Sequence, residues 1–195
     1  MDAPDPLLIA ETERLRLRLW READAAAFYA AMNTTEVMRY LGGVQTPAVW
    51  HAAFDRLQGY QRDHGFTFWL LERRDDSQLL GFCGLKRVNY DGAPNPGEVE
   101  IGWRLRQSAW GQGIAKEAAI ATLDLAFDHF YAPSVVAITA AANRPSWGLM
   151  ERLGMRPEPA LDFDDPRFPD LNPMKQWRIT ADAWPAARGM LLVQS

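Results

Sequence analysis

The passage Glu98–Ala119, EVEIGWRLRQSAWGQGIAKEAA, constrains this chain more than any other. A strand-like run from Glu98 to Leu105 leads into Trp110-Gly111-Gln112-Gly113-Ile114-Ala115 and then directly into an alanine-rich helix. The first amides of a helix have no internal acceptor, and the aligned peptide dipoles place partial positive charge at that end. Glycines at 111 and 113 let the backbone approach an anion with no Cβ in the way. A strand, a glycine turn and a helix in this order predict a phosphate site.

Three kinds of phosphate loop fit that outline. A dinucleotide fold wants a third glycine where this chain has Lys116, and it wants an acidic residue at the end of the next strand, which is missing. A Walker loop closes on Gly-Lys-Ser/Thr, and no such triplet occurs. The third kind is the acetyl-CoA loop of the GNAT acetyltransferases, and WGQGIAKEA resembles that family's W-G-x-G-x-A-x-E-A variant. Downstream, Asn143-Arg144-Pro145-Ser146 and Glu151-Arg152-Leu153-Gly154-Met155 resemble the Asn-x-x-Ser … Glu-Lys-Leu-Gly-Phe of the branch that holds the ribosomal-protein N-terminal acetyltransferases. Two motifs in the right order, about one strand and one helix apart, are far more specific than a lone Gly-x-Gly. The chain is therefore identified as a member of the GNAT superfamily, with the resemblance covering roughly residues 10–180.

A chain of 195 residues fits one domain, since that size buries roughly 70% of its unfolded surface. The net charge of −4 leaves no electrostatic footprint for nucleic acid. The single cysteine, Cys83, rules out an internal disulfide framework, points to a reducing compartment, and sits in a core-like run, LLGFCGL. The start, MDAPDPLLIAETE, is acidic and unlike a signal peptide, and no stretch approaches the roughly 20 apolar residues that span a bilayer. These features predict a cytoplasmic protein with no membrane or nucleic-acid partner.

Leucines 15, 17 and 19 alternate with arginines 14, 16 and 18, which reads as a half-buried strand. Helices are expected over Glu22–Met32 and Pro47–Asp63, strands over Phe66–Arg73 and Leu79–Val88 as a hairpin, and a turn-rich connection over Asn89–Gly97. Glu98–Leu105 is then the fourth strand. The helix after the glycine loop is expected to reach about Tyr131, with Ile120, Leu123, Phe127 and Phe130 on one face. A strand follows over Val135–Ala141, then a helix capped by Asn143 and stopped at Gly154. Phe163–Pro173 reads as irregular, Met174–Thr180 as a last strand, and the Asp182–Ser195 tail as short and peripheral. Helices between strands give an α/β (α+β mixed) class. The resemblance implies a mixed, mostly antiparallel sheet whose fourth and fifth strands splay apart around the cofactor.

Acetyl transfer to an amine requires that the donor be held, the amine deprotonated, the carbonyl oxygen stabilised and the leaving thiolate protonated. By the resemblance, acetyl-CoA is held by the backbone of Trp110, Gly111, Gln112, Gly113, Ile114 and Ala115, and Lys116 either reaches a phosphate or is a solvated helix lysine. The motif usually opens on Arg or Gln, but this chain has Ser108 there, with Arg106 and Gln107 just upstream. The family analogy puts the carbonyl against a backbone N–H in Trp103, Arg104 or Leu105, and Gly102 is either the family's bulge or room for a neighbouring side chain. Ser146 either serves as the family's serine near the CoA sulfur or is a second helix-capping residue, and Asn143 has two compatible roles, capping the helix and bonding the pantetheine amides. Glu98 and Glu100 share a strand face, where two carboxylates raise each other's pKa, and Glu100 is the expected base. No metal spacing links His51, His64 and His129, which read as surface residues. Asp162, Asp164 and Asp165 with Arg167 either border the acceptor or form an acidic surface loop.

The resulting expectation is one GNAT domain over residues 1–195, taking acetyl-CoA, no metal, and a primary amine of a small molecule or protein N-terminus. A homodimer is compatible with it. The aromatic set Tyr40, Trp50, Phe54, Tyr60, Phe66, Phe68 and Trp69, together with the lack of a basic tail, favours a small amine. The alternative from another class is a non-catalytic acyl-CoA-binding or sensor domain on the same scaffold.

Overall fold

The leucine–arginine alternation forms a strand, β2 (Leu15–Arg18), in the computed structural model, which describes residues 7–193. Residues 1–6 of the segment read as unlike a signal peptide, and residues 194–195 of the tail, lie outside that range. Leu15 and Leu17 are fully buried, but so, nearly, is Arg18. Arg18 donates to Glu72 at 2.9 Å and to both oxygens of Asp24 at 2.8 and 2.9 Å, so the charge is matched inside the fold. One strand that the sequence pattern did not suggest, β1 (Leu8–Glu11), pairs antiparallel with β2.

Three helices follow: α1 (Asp24–Met32), the one-turn α2 (Thr35–Met38) and α3 (Pro47–His64). Phe28 and Met32 point inward from α1 as expected. Pro47 sits in the first turn of α3, where its missing N–H is no loss, and Gly65 ends the helix at φ +75°. Next come β3 (Phe68–Arg73), β4 (Leu79–Arg87) and β5 (Val99–Leu105), then α4 (Ile114–Asp124), β6 (Ser134–Ala140) and α5 (Arg144–Arg152). The short β7 (Arg156–Pro157), then β8 (Met174–Thr180) and α6 (Trp184–Val193), close the order.

The eight strands form one mixed sheet, β1-β2-β3-β4-β5-β6-β8-β7, antiparallel except between β5 and β6. β4 and β5 stay in register from Gly81↔Leu105 to Arg87↔Val99. β5 and β6, by contrast, meet in register only at Glu100↔Val136, and towards Leu105 they have diverged. These are the strands expected as fourth and fifth, renumbered because β1 lies ahead of them. No bulge causes the divergence, since Gly102 pairs with Gly84 in unbroken register. Gly102 instead makes room: a Cβ there would lie 2.8 Å from the Phe68 ring, which stacks on Phe82 at 4.9 Å.

Two expectations about helices need correction. The helix after the glycine loop is regular only to Asp124, widens to a π turn over Leu125–His129, and ends with Tyr131 at φ +51°. The C-terminal segment is not peripheral. Trp184, Ala187 and Leu191 are buried in the main core, and Trp184 Nε1 donates to Asp124 at 2.9 Å. Pro185 and Gly189 weaken the local helix signal, so the segment reads as a tail until the surface it covers is known. Trp184→Ala should therefore cost about 3–5 kcal/mol of unfolding free energy, the range for emptying a buried tryptophan site. Urea denaturation measures it, and a loss below about 0.5 kcal/mol, as at an ordinary surface position, would mean the tail is peripheral after all.

Candidate active site

The divergence of β5 from β6 opens a cleft of about 780 Å³. Trp103, Arg104, Leu105, Trp110, Gly111, Gly113, Ile114, Ala115, Lys116, Asn143 and Ser146 all line it, as does Glu100. Gln112 does not: its side-chain amide folds back on the Ser108 carbonyl at 2.6 Å, and its own carbonyl accepts from Arg14. Gly111 and Gly113 adopt left-handed backbone, at φ +71° and +76°, and a Cβ on Gly111 would meet open space. The first backbone bond of α4 runs from Glu117 N–H to Gly113 O. The amides of Ile114, Ala115 and Lys116 therefore precede any carbonyl in the helix that could accept from them. A bare turn followed by unpaired amides fits a pyrophosphate. The side chains of Ile114 and Leu105 are buried, so these two offer the cleft backbone more than side chain.

The loop is held from a direction that motif reading missed. Glu117, on the first turn of α4, accepts from Arg14 Nε at 2.6 Å, from the Arg14 backbone at 2.9 Å and from the Thr12 hydroxyl. Arg14 Nη1 also reaches the Gln112 carbonyl at 2.9 Å. Trp110 donates its indole N–H to Leu105 O at 2.9 Å, tying the loop to the end of β5.

The two glutamates expected to raise each other are held apart in environment. Glu98 takes a bidentate pair from Arg178 at 3.0 and 2.7 Å, plus bonds from Ser134 and Asn95. Burial pushes Glu98 up, but those bonds outweigh it, and its pKa lies below the ordinary value. Glu100 is 3% exposed, and burial raises its pKa against the opposing pull of Lys86 and Tyr90. The Tyr90 hydroxyl donates to Glu100 Oε1 at 2.9 Å, and Lys86 Nζ stands 3.3 Å from Oε2 while lying over the Tyr90 ring. Tyr90 is itself raised well above its ordinary value, first by burial and then by the Glu100 charge. Neither Lys86 nor Tyr90 carries a motif; only the cross-strand register Lys86↔Glu100 would have pointed to one of them.

Asn143 occupies the cap position of α5, yet its side chain makes no capping bond. Its amide instead donates to Thr139 Oγ1 at 2.8 Å and to Ser146 Oγ at 3.0 Å, joining the end of β6 to the first turn of α5. The capping half of the expectation fails because the side chain turns back to β6.

With this geometry in view, the comparison with known families is decisive: the model of the acetyltransferase (GNAT) domain matches residues 14–156. The chain belongs to the GNAT acetyltransferases. It is 30% identical over 148 residues to YnaD of Bacillus subtilis, named an N-acetyltransferase, covering 75% of this chain and 82% of that one. An acetyltransferase from Agrobacterium tumefaciens shares the fold at TM-score 0.75 and 26% identity, over 92% of this chain and 96% of the other. RimJ of Mycobacterium smegmatis, solved with CoA-disulfide, shares the fold at TM-score 0.68 and 22% identity, over 92% and 89%. The protein is thus an acetyl-CoA-dependent N-acetyltransferase of this family. Among the described residues no cluster of three or more His, Cys, Asp or Glu is placed to hold a metal, and no helix is long and apolar enough to cross a membrane.

A second cavity, about 870 Å³, lies between the sheet and helices α1 and α3, and shares Leu41, Phe68, Phe82, Tyr90 and Arg104 with the first. Of the aromatic set singled out above, Trp50, Phe54, Tyr60 and Phe68 line this cavity and Tyr40 the cleft, whereas Phe66 and Trp69 are core. The acidic loop is largely spent internally. Asp165 is bonded by Arg167 at 2.6 Å and Asp162 by Lys175 at 2.5 Å, while Asp164 is exposed. His51, His64 and His129 are exposed, although His51 borders the second cavity. Cys83 is fully buried, with its thiol pushed up to about 12. Carboxyl titration by NMR should place Glu100 above and Glu98 below the ordinary value of 4.5. The depressed pKa of Glu98 means its contribution to stability is present above about 4.5 and is lost as pH falls through the lower folded value. A reversed order of the two would remove the distinction between them.

Proposed function

We propose that this enzyme transfers the acetyl group of acetyl-CoA to the primary amine of a small molecule, by direct attack in a ternary complex and over a single domain, whose core runs past the expected residues 10–180 to Leu191. The observation that carries the assignment of the base is Glu100. It is a buried, raised carboxylate at the one register pair of β5 and β6, on the edge of the cleft and two residues from its Gly102 wall. A carboxylate of raised pKa is better matched to taking a proton from an ammonium acceptor than an ordinary surface one. Glu98, tied up by Arg178, is poorly suited to it.

In the proposed reaction the donor's pyrophosphate rests on the amides from Gly111 to Lys116 and its thioester carbonyl faces the diverged edge of β5 near Trp103–Leu105. The amine nitrogen forms a bond to the carbonyl carbon and its proton passes to Glu100. As the carbon–sulfur bond breaks, the Ser146 hydroxyl passes a proton to the thiolate and takes one back from solvent, while Glu100 releases the amine's proton to solvent, so that CoA leaves as the thiol and both side chains return to their starting state. The Asn143 amide supports that role, since it occupies a lone pair of the Ser146 oxygen and leaves the hydroxyl hydrogen for sulfur. Asn143 also remains free through its carbonyl to meet a pantetheine amide. The motif likeness to the ribosomal-protein N-terminal branch supports a common lineage, while the aromatic second cavity supports a small acceptor over a peptide.

The deciding experiment is acetyl-CoA-dependent thiol release across polyamines, amino acids, aminoglycosides and N-terminal peptides; binding of CoA with no turnover on any class would leave a sensor domain instead. Gly111→Val, which puts a branched side chain where the anion approaches, should weaken CoA binding more than 10-fold (about 1.4 kcal/mol) by calorimetry on folded protein; unchanged affinity sinks the loop assignment. Ser146→Ala should lower kcat by roughly 10- to 10⁴-fold, the span bracketing general-acid effects, with little change in the KM for acetyl-CoA or in melting temperature. Glu100→Gln should lose most turnover at low pH, where an amine without a base stays protonated, and equal loss at every pH would move the base to water.

A further inference from the structure

The second cavity is cationic. Arg56, Lys86, Arg104 and Arg167 line it, and no aspartate or glutamate does. Two of these charges are already balanced, Lys86 by Glu100 and Arg167 by Asp165, and Arg56 sits exposed at the rim. Arg104 differs from all three. It forms no ion pair among the described residues, its Nε is buried with no hydrogen-bond partner, and its guanidinium rests over the rings of Phe82 at 5.2 Å and Trp50 at 5.7 Å. Trp50 Nε1 is likewise buried and without a partner. Two residues with orphaned donors thus line one aromatic cavity. A buried donor left unmade costs free energy, and a buried cation without a counter-charge costs more. Burial already pulls the Arg104 pKa down to about 10, which leaves it charged at neutral pH.

Arg104 shares a strand face with Glu100, four residues further along β5, and is the cross-strand partner of Phe82 as Lys86 is of Glu100. Four residues of strand span roughly 13 Å, so a molecule reaching from the base to the guanidinium is elongated. Resting on the acetyl-transfer reading above, we propose that the acceptor is an amine with an apolar body and a carboxylate at its far end, received by Arg104 and the Trp50 indole N–H. One carboxylate balances the Arg104 guanidinium, and the guanidinium fork matches its two oxygens. The same charge disfavours polycationic acceptors.

The test is thiol release by the full chain with arylalkylamines of one skeleton ending in carboxylate, carboxamide, phosphonate or ammonium. The carboxylate should exceed the carboxamide in kcat/KM by roughly 10- to 150-fold, the span for a hydrogen bond to a charged group, mostly through KM. The ammonium compound should be poorest. In Arg104→Met and Arg104→Gln the carboxylate-to-carboxamide ratio should fall to about one, with melting curves confirming that both variants fold. Equal use of carboxylate and carboxamide by the native enzyme, or a preference for ammonium, overturns the proposal, and a preference for phosphonate overturns its carboxylate assignment. A rise in the acetyl-CoA KM of Arg104→Met as large as the lost preference gives the guanidinium to the donor and overturns it too. If no amine turns over, the acetyl-transfer reading fails, and the subsite is judged by binding alone: the arylalkanoate lacking the amine should quench tryptophan fluorescence in native protein and not in Arg104→Met. Absence of quenching overturns the subsite.

Discussion

The site depends on a parallel pair of strands that meet at one point. Every other neighbour in the sheet is antiparallel, and β4–β5 and β6–β8 are fully laddered, so β5 and β6 are each anchored on their far sides. That anchoring lets them diverge beyond Glu100↔Val136 without fraying. The backbone edge freed by the divergence, the glycine turn that follows β5 and the first turn of α5 after β6 then face one cleft. No bulge is needed. The Phe68–Phe82 stack claims the space over Gly102, on the strand that leads to the cleft.

Charge placement follows from the same geometry. Glu98 lies where β5 begins and β8 is close enough for Arg178 to reach it across β6, so it becomes a fixed, depressed carboxylate. Two residues on, Glu100 is enclosed by β4, Tyr90 and the cleft, and the loss of water raises it. Equal chemistry at equal strand parity ends in opposite directions, because pKa responds to desolvation and partners rather than to residue type. The buried Arg18–Glu72–Asp24 cluster and the Arg14–Glu117 clamp work for the fold instead: the first matches a charge inside the sheet layer, and the second pins the glycine loop to β2.

Much of this was legible before any coordinates. Local patterns with their own stop signals, such as Pro47 to Gly65 for α3 and the alternation at Leu15–Arg18, appear close to where they were expected. The glycine loop was legible because backbone geometry favours glycine at such a turn, and the Asn143/Ser146 pair through its resemblance to the family motif. Lys86, Tyr90 and Thr139 were not, since such a residue in a strand or turn has no local signature, and its role comes from what lies across the ladder. The C-terminal helix was missed for a similar reason: its apolar positions Trp184, Ala187 and Leu191 mean little until the core surface they cover is present.

The sequence by itself determined most of the order of elements from β2 to β8, the glycine turn and the family, because these rest on short-range rules: helix termini leave amides unpaired, glycine permits left-handed backbone, and apolar periodicity marks a buried face. Only the tertiary structure decided which glutamate is buried, which way Asn143 points and which arginine holds a buried nitrogen with no partner. Those outcomes depend on groups brought together from distant parts of the chain, through burial and pairing that no local window contains.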